Sequence, residues 1–300
     1  YQHSKFGAVI STAIHKYMYI VIHPYFQDKI RLKYSITEDV SSISDIKHPI
    51  IKEGIRKVDV KNGIEIASFA DVPSGTGLGS SSSFTVGLLN ALYKYQGLSK
   101  DKNQLAEDAC EIEIDILNEP IGKQDQYAAS FGGLNQIKFF NDESVEVLPL
   151  DLNPLFIKEF ESKIRLYYTG NKRSASTILT EQKKNMVKKD KTLLMGEMVS
   201  LTNDFKNALE SENMNEIGRL LHNNWILKKQ LAKNISNDDI DIMYEIAMRN
   251  GALGGKLLGA GGSGFLLIMA NNHEVISEKL KCKSFGLKIN NTGTEIIQCD

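Results

Sequence analysis

The sequence predicts an α+β fold of two joined lobes, residues 1–160 and 161–300. Three observations carry the prediction. The first half is rich in short β-branched and aromatic runs, which read as strands. The second half is dominated by long stretches with apolar residues at helical spacing. Between Gly63 and Tyr95 an apolar strand runs into a glycine- and serine-rich loop and then into an amphipathic helix, a closed strand–loop–helix unit.

In chain order, Ala8 to Ile22 reads as one or two strands around Ile14 and Tyr17–Val21, and Ile30 to Ile36 as a partner strand. Val40 to Lys61 is mixed, with a helix over Ile50 to Val58. Gly63 to Val72 is a strand on the strength of Ile64, Ile66 and Phe69. Phe84 to Tyr95 is a helix, with Val86, Leu89, Leu92 and Tyr93 on one side. A connection at Gly97 leads to a helix from Lys100 to Asn118. Pro120 to Gly133 is a loop and helix, followed by strands at Leu134 to Phe139, Val145 to Leu150 and Lys163 to Tyr168. Ser174 to Lys184 is helical. Leu193 to Leu231 is a long helical region broken near Glu212 to Met214, with Trp225 at core spacing from Leu221. Asp238 to Asn250 is a helix ended by Gly251. A strand at Phe265 to Ala270, a helix at His273 to Cys282 and a strand at Thr294 to Gln298 complete the chain.

Hydrophobic residues make up 42% and charged residues 24%, the balance of a globular protein rather than a disordered one. A net charge of −1 gives no general attraction to nucleic acid or to an anionic membrane. The basic run Lys183 to Lys191 reads as a solvated helix end or loop. Cys110, Cys282 and Cys299 lack CxxC spacing, which argues against a disulfide framework or zinc site and fits a cytoplasmic protein. Neither a membrane span nor a signal peptide is expected. The chain starts at Tyr1 already close to a strand, so an N-terminal segment is expected to precede it.

The segment Pro73-Ser74-Gly75-Thr76-Gly77-Leu78-Gly79-Ser80-Ser81-Ser82-Ser83 lies between that strand and that helix. Glycine lets backbone N–H groups turn toward one point, and a helix N-terminus adds unpaired N–H groups with a partial positive charge. Together they suit phosphate. A second segment, Gly259-Ala260-Gly261-Gly262-Ser263-Gly264, matches G-x-G-x-x-G literally. The dinucleotide reading requires a strand before it and a helix after it. Here the sequence places a helix upstream and a strand downstream, so a dinucleotide oxidoreductase is rejected. What remains is a glycine loop that admits close backbone approach, either to a ligand or as a tight turn.

Two acids stand out. On the helix Leu105 to Leu117, Glu107, Asp108, Glu111 and Asp115 share one face, whereas Glu113 falls within the apolar arc. A buried carboxylate needs a cation or a positive side chain, and magnesium and a buried Lys or Arg both answer. Asp125 follows in Gly122-Lys123-Gln124-Asp125-Gln126, between two glutamines. It reads as a helix cap or as a general base held among amide donors.

Pro73-x-x-x-Gly77-Leu78-Gly79-Ser80-Ser81-Ser82, Gly122 to Gln126 and Lys256 to Gly264, in this order, resemble the three glycine-containing motifs of the GHMP kinase superfamily. GKQDQYAASFGG at Gly122 to Gly133, TGNKRSAS at Thr169 to Ser176 and GGKLLGAGGSGF at Gly254 to Phe265 are most similar to its heptose 7-phosphate kinase branch. The resemblance implies a two-lobed fold, with an N-terminal lobe of ribosomal protein S5-like topology and an α+β C-terminal lobe. It implies ATP bound in a syn-like pose with Mg2+, and phosphoryl transfer to the anomeric hydroxyl of a phosphorylated heptose, toward nucleotide-activated heptose for surface polysaccharide. Pro73, Gly75, Gly77, Leu78, Gly79, Ser80, Ser81 and Ser82 would hold ATP. Ser81 and Glu113 would hold the magnesium, and Asp125 would accept the sugar hydroxyl proton or orient that hydroxyl. Gly261 and Gly262 would pass close to the substrate or the transferring phosphate. Lys172 and Arg173, after a strand and before a helix, would bind the substrate's own phosphate, Arg173 bidentately.

The family's first motif, a glycine-rich stretch with an acid that grips sugar hydroxyls, does not occur in this sequence. Within the class a fucokinase-like or other sugar 1-kinase fits the same motifs. Outside it stands a non-catalytic sugar- or nucleotide-binding regulator, against which Ser81, Glu113 and Asp125 argue. Oligomeric state, a dimer included, is left open.

Overall fold

The computed structural model describes residues 6–170, 175–185 and 189–298. It begins with strands β1 (Phe6–Thr12), β2 (Met18–Pro24), β3 (Ile30–Lys33) and β4 (Thr37–Val40). Then come helix α1 (Pro49–Val58), β5 (Ile64–Ala70), α2 (Ser80–Tyr95) and α3 (Lys102–Cys110), which runs directly into a π-helix at Glu111–Ile116. After α4 (Gln124–Phe131) follow β6 (Leu134–Phe140), β7 (Val145–Pro149), α5 (Pro154–Ser162) and β8 (Ile164–Tyr168). Helices α6 (Ala175–Asn185), α7 (Lys189–Glu210), α8 (Met214–Lys229) and α9 (Asp238–Arg249) precede β9 (Ala252–Leu257), β10 (Phe265–Ala270), α10 (Glu274–Leu280) and β11 (Ser284–Gly286). The chain is thus a mixture of helices and sheets, as expected.

Two compact units emerge, and they do not coincide with the halves 1–160 and 161–300. The larger comprises residues up to Thr12, Gly75–Leu78 and Leu134–Ile289; the smaller comprises Ala13–Ser74, Gly79–Gly133 and residues from Asn290 onward. The physical reason is pairing across sequence distance. Strand β1 is hydrogen-bonded to β6, so the start of the chain belongs with a much later strand.

The smaller unit holds a four-stranded sheet in the order β2-β5-β3-β4. Strands β3 and β5 run parallel, with Ile30 opposite Ile64 and Leu32 opposite Ile66. Alternation puts these four on one face, where all are buried. Ile51 and Ile55 of α1 and Leu88, Leu89 and Leu92 of α2 complete that core. Burying each such side chain is worth about 1.5–3 kcal/mol. Helix α1 starts where Pro49 fixes the backbone and the His48 side chain accepts the Ile51 N–H. The buried Glu38 carboxylate of β4 accepts the Lys47 and His48 N–H groups just before it.

The larger unit holds two sheets, β1-β6-β7 and β11-β8-β10-β9. Trp225 of α8 is fully buried among Tyr167, Ile240, Tyr244, Leu266 and Ile268, the core position its spacing predicted. Helix α8 lies so close to β9 that a Cβ on Gly218 would stand 2.9 Å from the Leu253 oxygen.

Several expectations are corrected. Thr294 to Gln298 is not a strand, because nothing pairs with it among the described residues. Strand β9 stands immediately before the second glycine segment, where the sequence suggested only a helix upstream. With β10 it forms an antiparallel pair, Leu257 opposite Leu266. The segment is therefore a strand-to-strand turn, and the dinucleotide reading still fails because no helix follows it. Asp108, which the sequence groups with Glu107, Glu111 and Asp115 on one face, has partners from other helices. It is buried, accepts the Tyr93 hydroxyl at 2.7 Å and pairs with Lys57 at 3.0 Å. Strands β4 and β11 and helix α5 went unread.

Candidate active site

The glycine-serine loop has the backbone that an anion cradle needs. Gly75, Gly77 and Gly79 have φ of 76°, 78° and 67°, and the residues between them keep negative φ. Backbone that alternates in this way is the kind in which successive N–H groups form anion-binding concavities. Gly79 is the N-cap of α2, and no side chain caps the helix. The first turn instead closes through the Ser83 N–H to the Gly79 oxygen at 2.9 Å, and the Thr85 hydroxyl donates to the Ser81 oxygen at 3.1 Å. Ser81 is exposed, Ser80 half-buried, and the Ser82 side chain buried. Pro73 and Gly75 are exposed, and apart from its chain neighbours no described residue comes within 4 Å of where a Gly75 Cβ would stand.

Within the smaller unit, the N-terminus of α2 meets both acids singled out from the sequence. Glu113 is 1% exposed. It sits in the π-helix, whose wider turn is marked by the Leu117 N–H bonding to the Ile112 oxygen at 3.0 Å. Such π-turns rotate the residues they carry relative to a regular helix and recur at functional sites. The Ser81 hydroxyl donates to Glu113 Oε1 at 2.6 Å, and the Gln126 amide donates to Glu113 Oε2 at 2.7 Å. Among the described residues no Lys or Arg pairs with this carboxylate. Of the two answers left open, a buried basic partner is not found among the described residues.

Asp125 lies in the first turn of α4 and is half-buried. A Cβ built on Gly79 would stand 3.3 Å from Asp125 Cβ and Cγ and 3.4 Å from its Oδ2. Gly79 thus has two reasons to be glycine, its left-handed φ and the carboxylate pressed against it. The expectation that flanking glutamines serve Asp125 needs revision, because the Gln126 amide is committed to Glu113. The role of Gln126 was missed in the sequence. The only signal for it was its place beside Asp125.

The donor set fits a magnesium ion. Mg2+ takes hard oxygen ligands and is commonly held by one or two carboxylates completed by phosphate oxygens and water. Ser81 and Glu113 present a hydroxyl and a carboxylate in direct contact, the latter buried without a positive side chain. Among the described residues no group of three or more His, Cys, Asp or Glu side chains that could hold a metal ion occurs.

In the larger unit, the two glycine segments lie against each other. A Cβ on Gly77 would stand 2.9 Å from the Leu258 oxygen and 3.1 Å from Gly259 Cα. The buried Lys228 ammonium holds the turn by donating to the Leu257 oxygen at 2.9 Å and the Gly259 oxygen at 2.6 Å. The Gly262 N–H donates to the Ile235 oxygen at 2.9 Å, and a Cβ on Gly261 would stand 2.9 Å from Ile235 Cα. The need for glycine at Gly261 is met by protein backbone. Thr169 pairs with Gly264 through its N–H and its hydroxyl. Lys256 donates to Asn224 Oδ1 at 2.6 Å, and burial pushes its amine down to about 8. Lys172 and Arg173 lie outside the described residues.

No helix among the described residues is long and apolar enough to cross a membrane.

Comparison with known proteins places this geometry. Residues 47–133 match the family model of the GHMP kinases N-terminal domain, and residues 205–285 match that of the GHMP kinases C-terminal domain. Together they span more than half of the chain. The D-glycero-alpha-D-manno-heptose 7-phosphate kinase of Campylobacter jejuni is 36% identical over 207 residues, 68% of this chain and 60% of that protein. The match therefore spans about three fifths of the length of that relative. The galactokinase of Pyrococcus furiosus is 26% identical over 92% of this chain and 87% of its own length. A solved D-glycero-D-manno-heptose 1-phosphate kinase from Bacteroides thetaiotaomicron superposes with a TM-score of 0.79 at 24% identity, covering 96% of this chain and 89% of that one, a likeness of fold. The chain belongs to the GHMP kinase family.

Proposed function

We propose that the protein is a sugar kinase, transferring the γ-phosphoryl group of ATP to the anomeric hydroxyl of D-glycero-D-manno-heptose 7-phosphate to give the 1,7-bisphosphate. The observation that carries this reading is the grouping of Ser81, Glu113 and Asp125 at the N-terminus of α2 in one compact unit. The choice of heptose rests on the 36% identity to the C. jejuni enzyme. A fucokinase reading has support of its own, since the L-fucokinase/L-fucose-1-P guanylyltransferase of Bacteroides fragilis is 29% identical over 77% of this chain.

Phosphoryl transfer asks the protein for position and charge neutralisation more than for covalent chemistry. In this reading the backbone of Gly77, Gly79 and Ser80 receives phosphate oxygens. Pro73, Gly75, Leu78 and Ser82 set the loop's course. Ser81 and Glu113 hold Mg2+, which when bound neutralises charge on the nucleotide phosphates. Asp125 accepts the proton of the sugar hydroxyl as its oxygen attacks phosphorus, the bond to the ADP oxygen breaks and ADP leaves. Lys172 and Arg173 hold the substrate's phosphate, and Gly261 and Gly262, held by their own backbone contacts, form the scaffold turn that passes near the substrate.

A coupled ADP-release assay with ATP, Mg2+ and a panel of free and phosphorylated heptoses and hexoses tests the reading. Turnover highest with the heptose 7-phosphate is expected. Turnover highest with free fucose moves the assignment to the second reading. No turnover with any sugar alongside retained ATP binding makes the protein a binder rather than a kinase.

A further inference from the structure

We propose that Gln126 is a positioning residue for the Glu113 carboxylate, holding it in orientation for a divalent cation. The inference rests on the cation reading of Ser81 and Glu113 given above and names the residue that makes that site rigid.

Gln126 is fully buried, an uncommon place for an amide. Its Nε2 donates to Glu113 Oε2 at 2.7 Å. That bond fixes the amide's orientation, since the flipped amide would set its oxygen against a carboxylate. Its Oε1 is left buried with no hydrogen-bond partner, which is costly unless the site's working state supplies a donor. Waters bound to a divalent cation are strong donors, and amide oxygens are suitable acceptors for them. The orphaned atom therefore points to the same ligand as the carboxylate beside it.

The two donors on Glu113 differ in kind. Ser81 is exposed, at the first turn of α2, and its hydroxyl is itself a proposed ligand. Its bond to Glu113 Oε1 would share that hydroxyl with the cation. Gln126 has no such second duty: its amide is bonded to Glu113 and enclosed on α4 next to Asp125. One short helix thus carries the proposed base and, at the next residue, the donor that aims the proposed metal ligand.

The test is Mn2+ titration of the full chain in the presence of ADP, followed by electron paramagnetic resonance of free Mn2+, with ADP affinity measured separately without metal. Gln126→Met, close in volume but lacking the amide, is expected to weaken Mn2+ binding about ten- to a hundredfold, as loss of outer-shell partners does. Metal-free ADP affinity should stay within about twofold, because the amide is placed on the carboxylate and not on the phosphate loop. Glu113→Gln should weaken Mn2+ at least as much, and adding Gln126→Met to it should cost nothing further. Wild-type Mn2+ affinity in Gln126→Met overturns the proposal, and so does an equal loss of metal-free ADP affinity. Should Gln126→Met not fold by circular dichroism, Gln126→Asn withdraws the amide by one methylene and is read by the same criteria. If Glu113→Gln itself binds Mn2+ like the wild type, the cation site fails, which is a different result from a Gln126 variant alone behaving normally.

Discussion

Gly75–Gly79 and Gly259–Gly264 both run through left-handed backbone, yet the hydrogen bonds around them differ. The second is occupied by its own unit. Lys228 holds two of its flanking carbonyls, Ile235 accepts the Gly262 N–H, and Thr169 pairs with Gly264. The first ends at a helix that no side chain caps, with an exposed serine bonded to a buried carboxylate and an aspartate against its last glycine. The contrast teaches that a glycine run shows only where backbone must pass closely. What it passes, protein or ligand, is decided by the partners around it. Here the segment with its polar groups committed reads as scaffold, and the segment with a bare helix N-terminus reads as site.

The contrast can be broken at several points. The largest effect is expected at Asp125. Asp125→Asn should lower turnover by about a hundred- to ten-thousandfold, the usual worth of a general base, with ATP affinity little changed. Turnover near wild type in a steady-state assay would remove the base assignment. Gly79→Ala comes next. It forces an L residue into φ 67° and a methyl against Asp125, so it should cut kcat much more than it lowers the unfolding midpoint. The reverse pattern would mean that Gly79 serves folding alone.

Gly261→Ala should behave oppositely. Its φ of 112° and the nearby Ile235 backbone predict a loss of about 1–3 kcal/mol in urea unfolding, with nucleotide affinity retained. Loss of nucleotide affinity at unchanged stability would move this segment from scaffold to site. Lys228→Met removes two charge-assisted bonds from the same turn and should cost about 1–3 kcal/mol by the same measurement. Unchanged stability would show that the turn holds itself.

The sequence was legible where local pattern and tertiary environment agree. Ile64 and Ile66 alternate as a strand and are buried as one, and α2 follows its apolar spacing from Phe84 to Tyr93. Legibility failed where pairing partners decide. Ala252–Leu257 contains two glycines and shows no strand pattern, but those glycines let α8 and β10 come close enough to make it a strand. Thr294 to Gln298 has a strand's pattern and no partner strand among the described residues. In the site, Glu113 and Asp125 were found from residue type and motif. The Gln126 contact was not, because it depends on a π-turn that a regular 3.6-residue spacing does not describe. The burial of Asp108 was not legible either, since its partners Lys57 and Tyr93 come from other helices.

The central claim is a division of labour between two carboxylates, Glu113 for the cation and Asp125 for the proton. It is tested most directly by measuring Mn2+ binding with ADP and steady-state turnover side by side in Glu113→Gln and Asp125→Asn. The account predicts that Asp125→Asn keeps Mn2+ affinity within about threefold while losing turnover, and that Glu113→Gln loses both. Mn2+ affinity lost in Asp125→Asn and retained in Glu113→Gln would contradict it.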